Sequence, residues 1–161
     1  MRPEEEVGAL LAERGETLAV AESLTGGLVT SLVTDVPGSS RYLLEGVVAY
    51  ANGSKMATLG VGEATLIAHG AVSEEVAIEM AKGVAQRSGA DWGVSTTGIA
   101  GPTGATPEKP LGLVYVGVAG VLGARAVRHV FDGDRLAVKR ASAEAALVLL
   151  LEELEGVARA Q

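Results

Sequence analysis

The sequence predicts a three-layer α/β/α sandwich, in which helices cover both faces of a mixed β-sheet. Helical apolar patterns alternate with short apolar runs along the chain, and the last two runs are typical of an antiparallel hairpin. Hydrophobic residues make up 48% of the sequence and charged residues 20%, which supports a packed core and excludes an extended disordered chain. Because 161 residues match one ordinary domain and no linker interrupts them, we expect a single domain over 1–161.

The first half of the chain predicts two helices and two strands. Gly15 and the Pro37-Gly38 pair end the helices, and Asn52-Gly53 predicts a turn after the second strand. In order, the predicted elements are a helix Pro3–Arg14, a strand Thr17–Ala21, a helix continuing to Val36, and a strand Gly46–Tyr50.

The second half predicts a strongly patterned helix, a strand, a long loop, a hairpin and a terminal helix. Ser73 is the expected N-cap of the patterned helix and Gly89 its stop. The predicted elements are the helix Ser73–Ser88, the strand Trp92–Thr97, the loop Gly98–Pro110, the hairpin strands Leu111–Ala119 and Ala124–Phe131, and a helix after Asp132-Gly133-Asp134.

Composition excludes several classes of function. A net charge of −7 argues against a protein that binds nucleic acid, and the absence of cysteine excludes disulfides, thiolate chemistry and cysteine-ligated zinc. His69 and His129 stand far apart without a patterned carboxylate, so we expect no metal site. No apolar run is long enough for a membrane helix and the start, Met1–Glu6, is polar, so a cytoplasmic protein without a membrane partner is expected.

A glycine-rich turn with two hydroxyl groups follows the first predicted strand. Ser23 comes just after the strand, and Thr25, Gly26 and Gly27 lead into the next helix. Ligands of open α/β sheets bind beyond the carboxyl ends of the strands, and free amides at a helix start favour an oxyanion or a phosphate. The turn is therefore a candidate site. The alternative is that Ser23 and Thr25 only cap the helix.

A tyrosine and a lysine follow the second predicted strand. A lysine buried in a cleft has a lowered pKa and can act as general base toward a serine, so Lys55 is a candidate base. The alternative is an ordinary solvated cation, and no S-x-x-K string is present. Tyr50 is equally explained as a strand-end aromatic residue with its hydroxyl group in water.

The third predicted strand ends at Thr97 and leads into a loop rich in glycine, proline and threonine, which includes Gly98 and Gly101. Neither the Walker pattern nor the dinucleotide-binding pattern is present, which removes the main support for an ATPase or a dehydrogenase. A long loop in a compact domain is nevertheless more often functional than idle. Arg135 opens the last predicted helix, where the dipole disfavours a cation, and this indicates an anionic partner; the alternative is a solvated side chain.

Several strings occur along the chain in a fixed order: AESLTGG at 21–27, PGSS at 37–40, VAYAN at 48–52 with Lys55, HGAVS at 69–73, TGIAGP at 97–102 and EKP at 108–110. This ordered set resembles the CinA C-terminal domain family over nearly the whole chain. Two positions depart from the usual strings. Many relatives have cysteine at the position of Leu24, and some have serine at that of Thr97.

The resemblance implies a three-layer α/β/α domain, commonly oligomeric, without a cofactor. Characterised stand-alone members are nicotinamide-nucleotide amidases of pyridine-nucleotide salvage, which hydrolyse the carboxamide of nicotinamide mononucleotide (NMN) to nicotinate mononucleotide and ammonia. Carried over to this sequence, Ser23 is the nucleophile and Lys55 the general base, and Tyr50 and Thr97 support the site. NMN and further copies of the chain are the expected partners.

Substrate contacts are expected from hydroxyl groups, glycine amides and one cation: Thr25, Gly26, Gly27, Gly98, Gly101 and Arg135. Backbone amides near Gly26–Gly27 or Gly98 are expected to hold the oxyanion. Two other classes stay open at this point. One is a non-catalytic nucleotide-binding or regulatory module that uses the same loops, and the other is an assembly domain that displays an apolar face of its terminal helix.

Overall fold

The structure, a computed structural model, describes residues 1–160, so residue 161 of the expected domain lies outside the described residues. These described residues form six α-helices, five strands and one short 3-10 helix. In order they are α1 (Pro3–Arg14), β1 (Leu18–Glu22), α2 (Leu28–Thr34), the 3-10 helix (Ser39–Arg41), β2 (Leu43–Val48), α3 (Asn52–Leu59), α4 (Glu63–His69), α5 (Glu74–Ser88), β3 (Trp92–Gly98), β4 (Leu113–Gly120), β5 (Gly123–Val130) and α6 (Arg135–Ala160).

The five strands form one mixed sheet in the order β2-β1-β3-β4-β5. β1 pairs in parallel with β2 on one side and with β3 on the other, and β4 and β5 add the predicted antiparallel hairpin. The strands that follow β1 in the chain thus lie on opposite sides of it. Such a change of direction opens a crevice at the carboxyl end of β1, where α/β proteins bind their ligands.

Side chains of alternating residues in β1 enter two separate hydrophobic cores. Val20 packs into the larger core with residues of α1, α2 and α6, whereas Ala19 and Ala21 face the other core with Met80 and Val84 of α5. Because successive side chains of a strand point to opposite faces, this places helices on both sides of the sheet. The predicted three-layer α/β fold is confirmed. No helix within residues 1–160 has the length and apolar composition that a bilayer-spanning segment needs.

The glycine stops of α1 and α5 and the N-cap of α5 agree with the sequence prediction, whereas α2 ends at Thr34, two residues before the predicted Val36. Ser73 Oγ accepts a hydrogen bond from the amide of Val76 at 3.3 Å, and Gly89 ends α5 in the left-handed conformation. Asp134 Oδ1 accepts from the amide of Ala137 at 2.9 Å in the first turn of α6. These contacts satisfy amides that have no partner inside the helix.

The segment between β1 and α5 differs from the sequence prediction. β2 spans Leu43–Val48, not Gly46–Tyr50, and Asn52-Gly53 forms the first turn of α3. Helices α3 and α4 were not predicted. They have only 8 and 7 residues and no side-chain caps, so they are too short to show a clear helical period.

Candidate active site

The carboxyl ends of β1, β2 and β3 meet at one edge of the sheet and surround a cavity of about 260 Å³. The cavity brings together seven of the residues selected from the sequence. These are Ser23, Tyr50, Lys55, Thr97, Gly98, Gly101 and Arg135. Four further lining residues, Ile99, Ala100, Thr103 and Gly104, belong to the loop Gly98–Pro110 that the sequence marked as a whole. The lining residues not selected for the site are Leu24, Asn52, Ala71 and Val72.

Ser23 and Lys55 form a buried pair in this cavity. Lys55 Nζ lies 3.0 Å from Ser23 Oγ, and the two residues are 2% and 8% exposed, the lysine being the more buried. Lys55 Nζ also donates a hydrogen bond to the backbone oxygen of Tyr50 at 2.8 Å. The hydrogen bond to the Tyr50 oxygen holds the Lys55 amine in place, close to the hydroxyl group of Ser23.

Burial lowers the pKa of Lys55, because the protein interior solvates an ammonium ion poorly. Among residues 1–160, no carboxylate forms an ion pair with this lysine. At a given pH, the neutral form of the Lys55 amine is therefore more populated than that of a solvent-exposed lysine. A neutral amine has a lone pair that can accept the proton of the serine hydroxyl, so the pair has the arrangement of a nucleophile and its base.

The turn after β1 holds Ser23 by its backbone. Its amide donates to the oxygen of Thr96 at 3.0 Å, and the amide of Gly26 donates to the oxygen of Ser23 at 3.1 Å. The Gly26 amide is thus already engaged, contrary to the expectation that it holds an oxyanion. The amide of Leu24 makes no hydrogen bond with the described residues and adjoins the nucleophile, so it is the better candidate donor.

Thr97 connects β3 to the loop that lies before α5. Its side chain is 1% exposed, and its hydroxyl group donates to the backbone oxygen of Ala71 at 2.7 Å. Ala71 and Val72 line the cavity, but they are small apolar residues in a loop, and although the string HGAVS contains them, their residue types indicate no role in a site. Asn52 could have been found from its place between the two selected residues Tyr50 and Lys55.

Arg135 spans the mouth of the cavity. Its guanidinium group donates through Nη1 to the oxygen of Gly101 at 2.8 Å and through Nη2 to Tyr50 Oη at 2.9 Å. Tyr50 is 57% exposed and lies two residues beyond β2. Among residues 1–160 no carboxylate lines the cavity, although the whole chain carries a net charge of −7. With Arg135 as the guanidinium cation of its lining, the cavity favours an anionic ligand.

Three of the expected substrate-binding residues lie outside this cavity. Thr25 is 1% exposed and its hydroxyl group donates to Glu22 Oε1 at 2.6 Å. Gly26 and Gly27 line a separate cleft of about 410 Å³ together with Lys139. Both glycines have positive φ, 62° and 106°, which turns the chain away from Ser23 and toward α6. The expectation that the whole turn faces one pocket is therefore not met.

Glu22 is the residue of this region that sequence reasoning missed. It is the last residue of β1, is fully buried and accepts hydrogen bonds from the turn and from α2. The available signal was a carboxylate at the end of a short apolar run, directly before the serine. Charged residues are rarely fully buried without a partner, so a carboxylate at this position indicates a specific set of hydrogen-bond donors around it.

The two histidines make separate local contacts. His69 Nδ1 lies 3.6 Å from Glu75, and the ring of His129 stacks on that of Phe131 with centroids 5.0 Å apart. Desolvation lowers the pKa of His129. Within residues 1–160 no group of three metal-ligating side chains occurs.

Comparison with known proteins identifies relatives along nearly the whole chain. The CinA C-terminal domain family matches residues 2–154. A CinA-like protein of Chlorobaculum tepidum is 57% identical over 157 residues, which cover 94% of this chain and 37% of the relative. One from Anaeromyxobacter sp. (strain K) is 55% identical over 144 residues, 89% of this chain and 35% of the relative. The chain thus spans about a third of the length of these curated relatives.

Solved structures show the same fold. A CinA superfamily protein from Klebsiella pneumoniae superposes with a TM-score of 0.91 at 31% identity, covering 96% of each chain. The competence/damage inducible protein CihA from Agrobacterium tumefaciens superposes with a TM-score of 0.86 at 37% identity, covering 95% of each chain. Sequence and structure agree, and the chain belongs to the CinA C-terminal domain family.

Proposed function

We propose that this chain is an amidohydrolase that converts NMN and water to nicotinate mononucleotide and ammonia. The observation that carries the proposal is the buried contact of 3.0 Å between Lys55 Nζ and Ser23 Oγ. Such a pair suits acyl transfer, and the resemblance of the motifs around both residues to those of nicotinamide-nucleotide amidases supplies the substrate. An arginine lines the cavity and no carboxylate of the described residues does, which suits a ligand that carries a phosphate group.

The first half-reaction forms an acyl-enzyme. Ser23 Oγ attacks the carboxamide carbon while the neutral amine of Lys55 takes the hydroxyl proton. The carbonyl oxygen becomes an oxyanion, which the amide of Leu24 can stabilise. The C–N bond then breaks, Lys55 returns its proton to the leaving nitrogen, and ammonia departs from a nicotinoyl ester of Ser23.

The second half-reaction uses the same groups with water as the nucleophile. Lys55 takes a proton from water, the hydroxide attacks the ester carbon, and the Ser23 oxygen leaves with the proton that Lys55 gives back. The product is the nicotinate carboxylate. The Tyr50 carbonyl oxygen keeps Lys55 Nζ in place throughout, since it accepts a hydrogen bond of 2.8 Å that does not involve the reacting proton.

The remaining cavity residues are assigned to binding. Thr97 holds the loop at Ala71 that forms one wall, and Gly98 and Gly101 contribute to the cavity lining. The Arg135 guanidinium at the mouth is assigned to the phosphate group, with which it can form two parallel charge-assisted hydrogen bonds.

A coupled assay of ammonia release from NMN tests the proposal. The unmodified chain should release one ammonia for each nicotinate mononucleotide formed, and Ser23→Ala should release none while still binding NMN. Ser142→Ala, which removes a buried hydroxyl group of α6 outside the cavity, is the matched control and should keep its activity. Equilibrium binding of NMN without ammonia release would instead select the non-catalytic nucleotide-binding module.

A further inference from the structure

Glu22 carries a fully buried carboxylate next to the candidate nucleophile. It is 0% exposed, and among the described residues no lysine, arginine or histidine forms an ion pair with it. Burying a carboxylate is costly unless hydrogen bonds replace its water. The groups that donate to it therefore show what this residue does.

Four donors surround the two carboxylate oxygens. Oε1 accepts from the amide of Val29 at 2.8 Å and from Thr25 Oγ1 at 2.6 Å. Oε2 accepts from the amide of Thr30 at 3.0 Å and from Thr30 Oγ1 at 2.7 Å. Both oxygens thus bind the first turn of α2, and one also binds the glycine-rich turn.

The backbone of Glu22 is held just as firmly. As the last residue of β1 it is in register with Val48 of β2 and Thr96 of β3, and its oxygen accepts from the amide of Ala49 at 2.9 Å. The turn 23–27 therefore starts at a backbone that is fixed between β2 and β3. The turn ends at α2, whose first turn donates hydrogen bonds to the side chain of Glu22.

We propose that Glu22 is the positioning residue of the site, which closes the turn 23–27 against α2 and so keeps Ser23 Oγ within hydrogen-bond reach of Lys55. Both glycines of the turn permit conformations in which Ser23 would point elsewhere, since their φ values are positive. The carboxylate selects one of these conformations. The catalytic consequence rests on the proposed amidase function, whereas the geometric consequence does not.

Glu22→Gln is the sharpest variant because it keeps the size of the side chain. Each carboxylate oxygen accepts from a backbone amide, so the NH2 group of glutamine must face at least one N–H donor. Thr30→Val is a milder second variant, which removes the hydroxyl donor but leaves the Thr30 amide in place. Ser142→Ala is the control for loss of a buried hydrogen bond elsewhere, since its hydroxyl group donates to the oxygen of Val138 at 2.6 Å.

Crystal structures and steady-state kinetics of the three variants test the proposal. In Glu22→Gln, Ser23 Oγ should lie beyond hydrogen-bond distance from Lys55 Nζ, and kcat should fall about 100-fold with KM little changed, the size expected for a displacement of about 1 Å. Thr30→Val should show a smaller change of the same kind. Ser142→Ala should keep the contact and the kcat, even if its melting temperature falls.

A Glu22→Gln structure with the 3.0 Å contact intact would overturn the proposal. So would an equal loss of kcat in Ser142→Ala, because the loss would then follow from lowered stability alone. If Glu22→Gln does not fold, the same two readouts on Thr30→Val decide. If the unmodified chain releases no ammonia from NMN, the proposed function fails, and the Ser23–Lys55 distance in the variants still decides whether Glu22 positions the serine.

Discussion

Lys55 Nζ and Ser23 Oγ lie 3.0 Å apart although 32 positions separate them in the chain. The parallel pairing of β1 with β2 brings them together, because it places the end of β1 beside Val48, from which a short connection leads into α3. The fourth residue of α3 is Lys55, whose side chain is almost completely buried. The contact therefore depends on the sheet register and on a short helix, and local sequence alone does not reveal it.

Lys55→Arg should abolish the proposed amidase activity nearly as completely as Ser23→Ala. Arginine keeps the positive charge but stays protonated at accessible pH, so it cannot take the serine proton. The double variant should lose little more, because residues that act as a unit are strongly non-additive. Turnover at saturating NMN is the measurement, with folding checked by circular dichroism. A folded Lys55→Arg variant that keeps most of its activity would show that another group activates Ser23.

Activity of the unmodified chain should rise with pH through one ionisation below the usual range of lysine. The base must be neutral to accept a proton, and burial lowers the pKa of Lys55. The rate should therefore increase as pH rises through that lowered pKa and then level off. A profile of kcat/KM against pH measures it. A rate that falls over the same interval would mean that the ammonium form is the active one.

Lys55→Met should stabilise the folded chain at neutral pH. The pKa of Lys55 is lower in the folded state than in the unfolded chain, so folding disfavours the protonated form. This cost is fully present below the folded pKa and disappears as pH rises toward the unfolded value. Methionine has a similar size without the charge, and we expect a gain of about 1 kcal/mol, or about 2–4 °C in Tm for a chain of this size.

The pH dependence separates this cause from better packing alone. Thermal unfolding of both proteins should show the difference in Tm shrinking as pH rises from the lowered pKa of the folded state toward the unfolded value of about 10.4, because fewer unfolded chains then carry a proton that Lys55 must lose on folding. A difference that stays constant with pH would assign the gain to packing.

The sequence predicted those parts of the fold that leave a local signal. The ends of α5 follow from Ser73 and Gly89, which act through contacts with their immediate neighbours. The hairpin follows from two apolar runs and the short turn between Gly120 and Gly123. By contrast, α3 lacks a side-chain cap and is short, so its lysine was expected beyond a turn and not within a helix.

The site was predicted in part for the same reason. Ser23 and Lys55 stand at strand ends and in recognisable strings, and the structure brings them together. The direction of the turn could not be predicted, because it depends on two left-handed glycines and on a buried carboxylate. Thr25 shows this well: its hydroxyl group follows the serine by two residues, yet it donates to Glu22 in the interior and does not face the cavity.

Removal of metal ions should leave the proposed activity unchanged. The chain has no cysteine, and within residues 1–160 no three metal-ligating side chains lie close enough to hold an ion. Lys55, which activates Ser23 in the proposed mechanism, needs no metal-bound water. Ammonia release before and after dialysis against EDTA is the measurement. Loss of activity that one divalent ion restores would favour metal-activated water over the serine.

Arg135→Ala should reduce the use of NMN far more than that of nicotinamide riboside, which lacks the phosphate group. The guanidinium lies at the cavity mouth, where it contacts the oxygen of Gly101 and the hydroxyl group of Tyr50. Loss of the contacts with Gly101 and Tyr50 should affect NMN and the riboside alike, because it loosens the loop at Gly101 whichever substrate is bound. Losing the phosphate contact affects NMN alone, and a charge-assisted hydrogen bond contributes about 1.5–3 kcal/mol, which corresponds to about 10- to 150-fold in kcat/KM.

Two control variants identify the source of that difference. Tyr50→Phe removes the hydroxyl contact with Arg135 but keeps the backbone oxygen that holds Lys55, so it should affect NMN and the riboside equally. Lys139→Ala removes a cation one helical turn further along α6 that lines the separate cleft, and it should spare both substrates. The ratio of kcat/KM for NMN to that for the riboside is the decisive quantity. If Arg135→Ala leaves this ratio unchanged, the arginine only stabilises the loop at Gly101, and the phosphate must bind elsewhere. If Lys139→Ala lowers the ratio instead, the phosphate binds in the cleft beside Gly26 and Gly27.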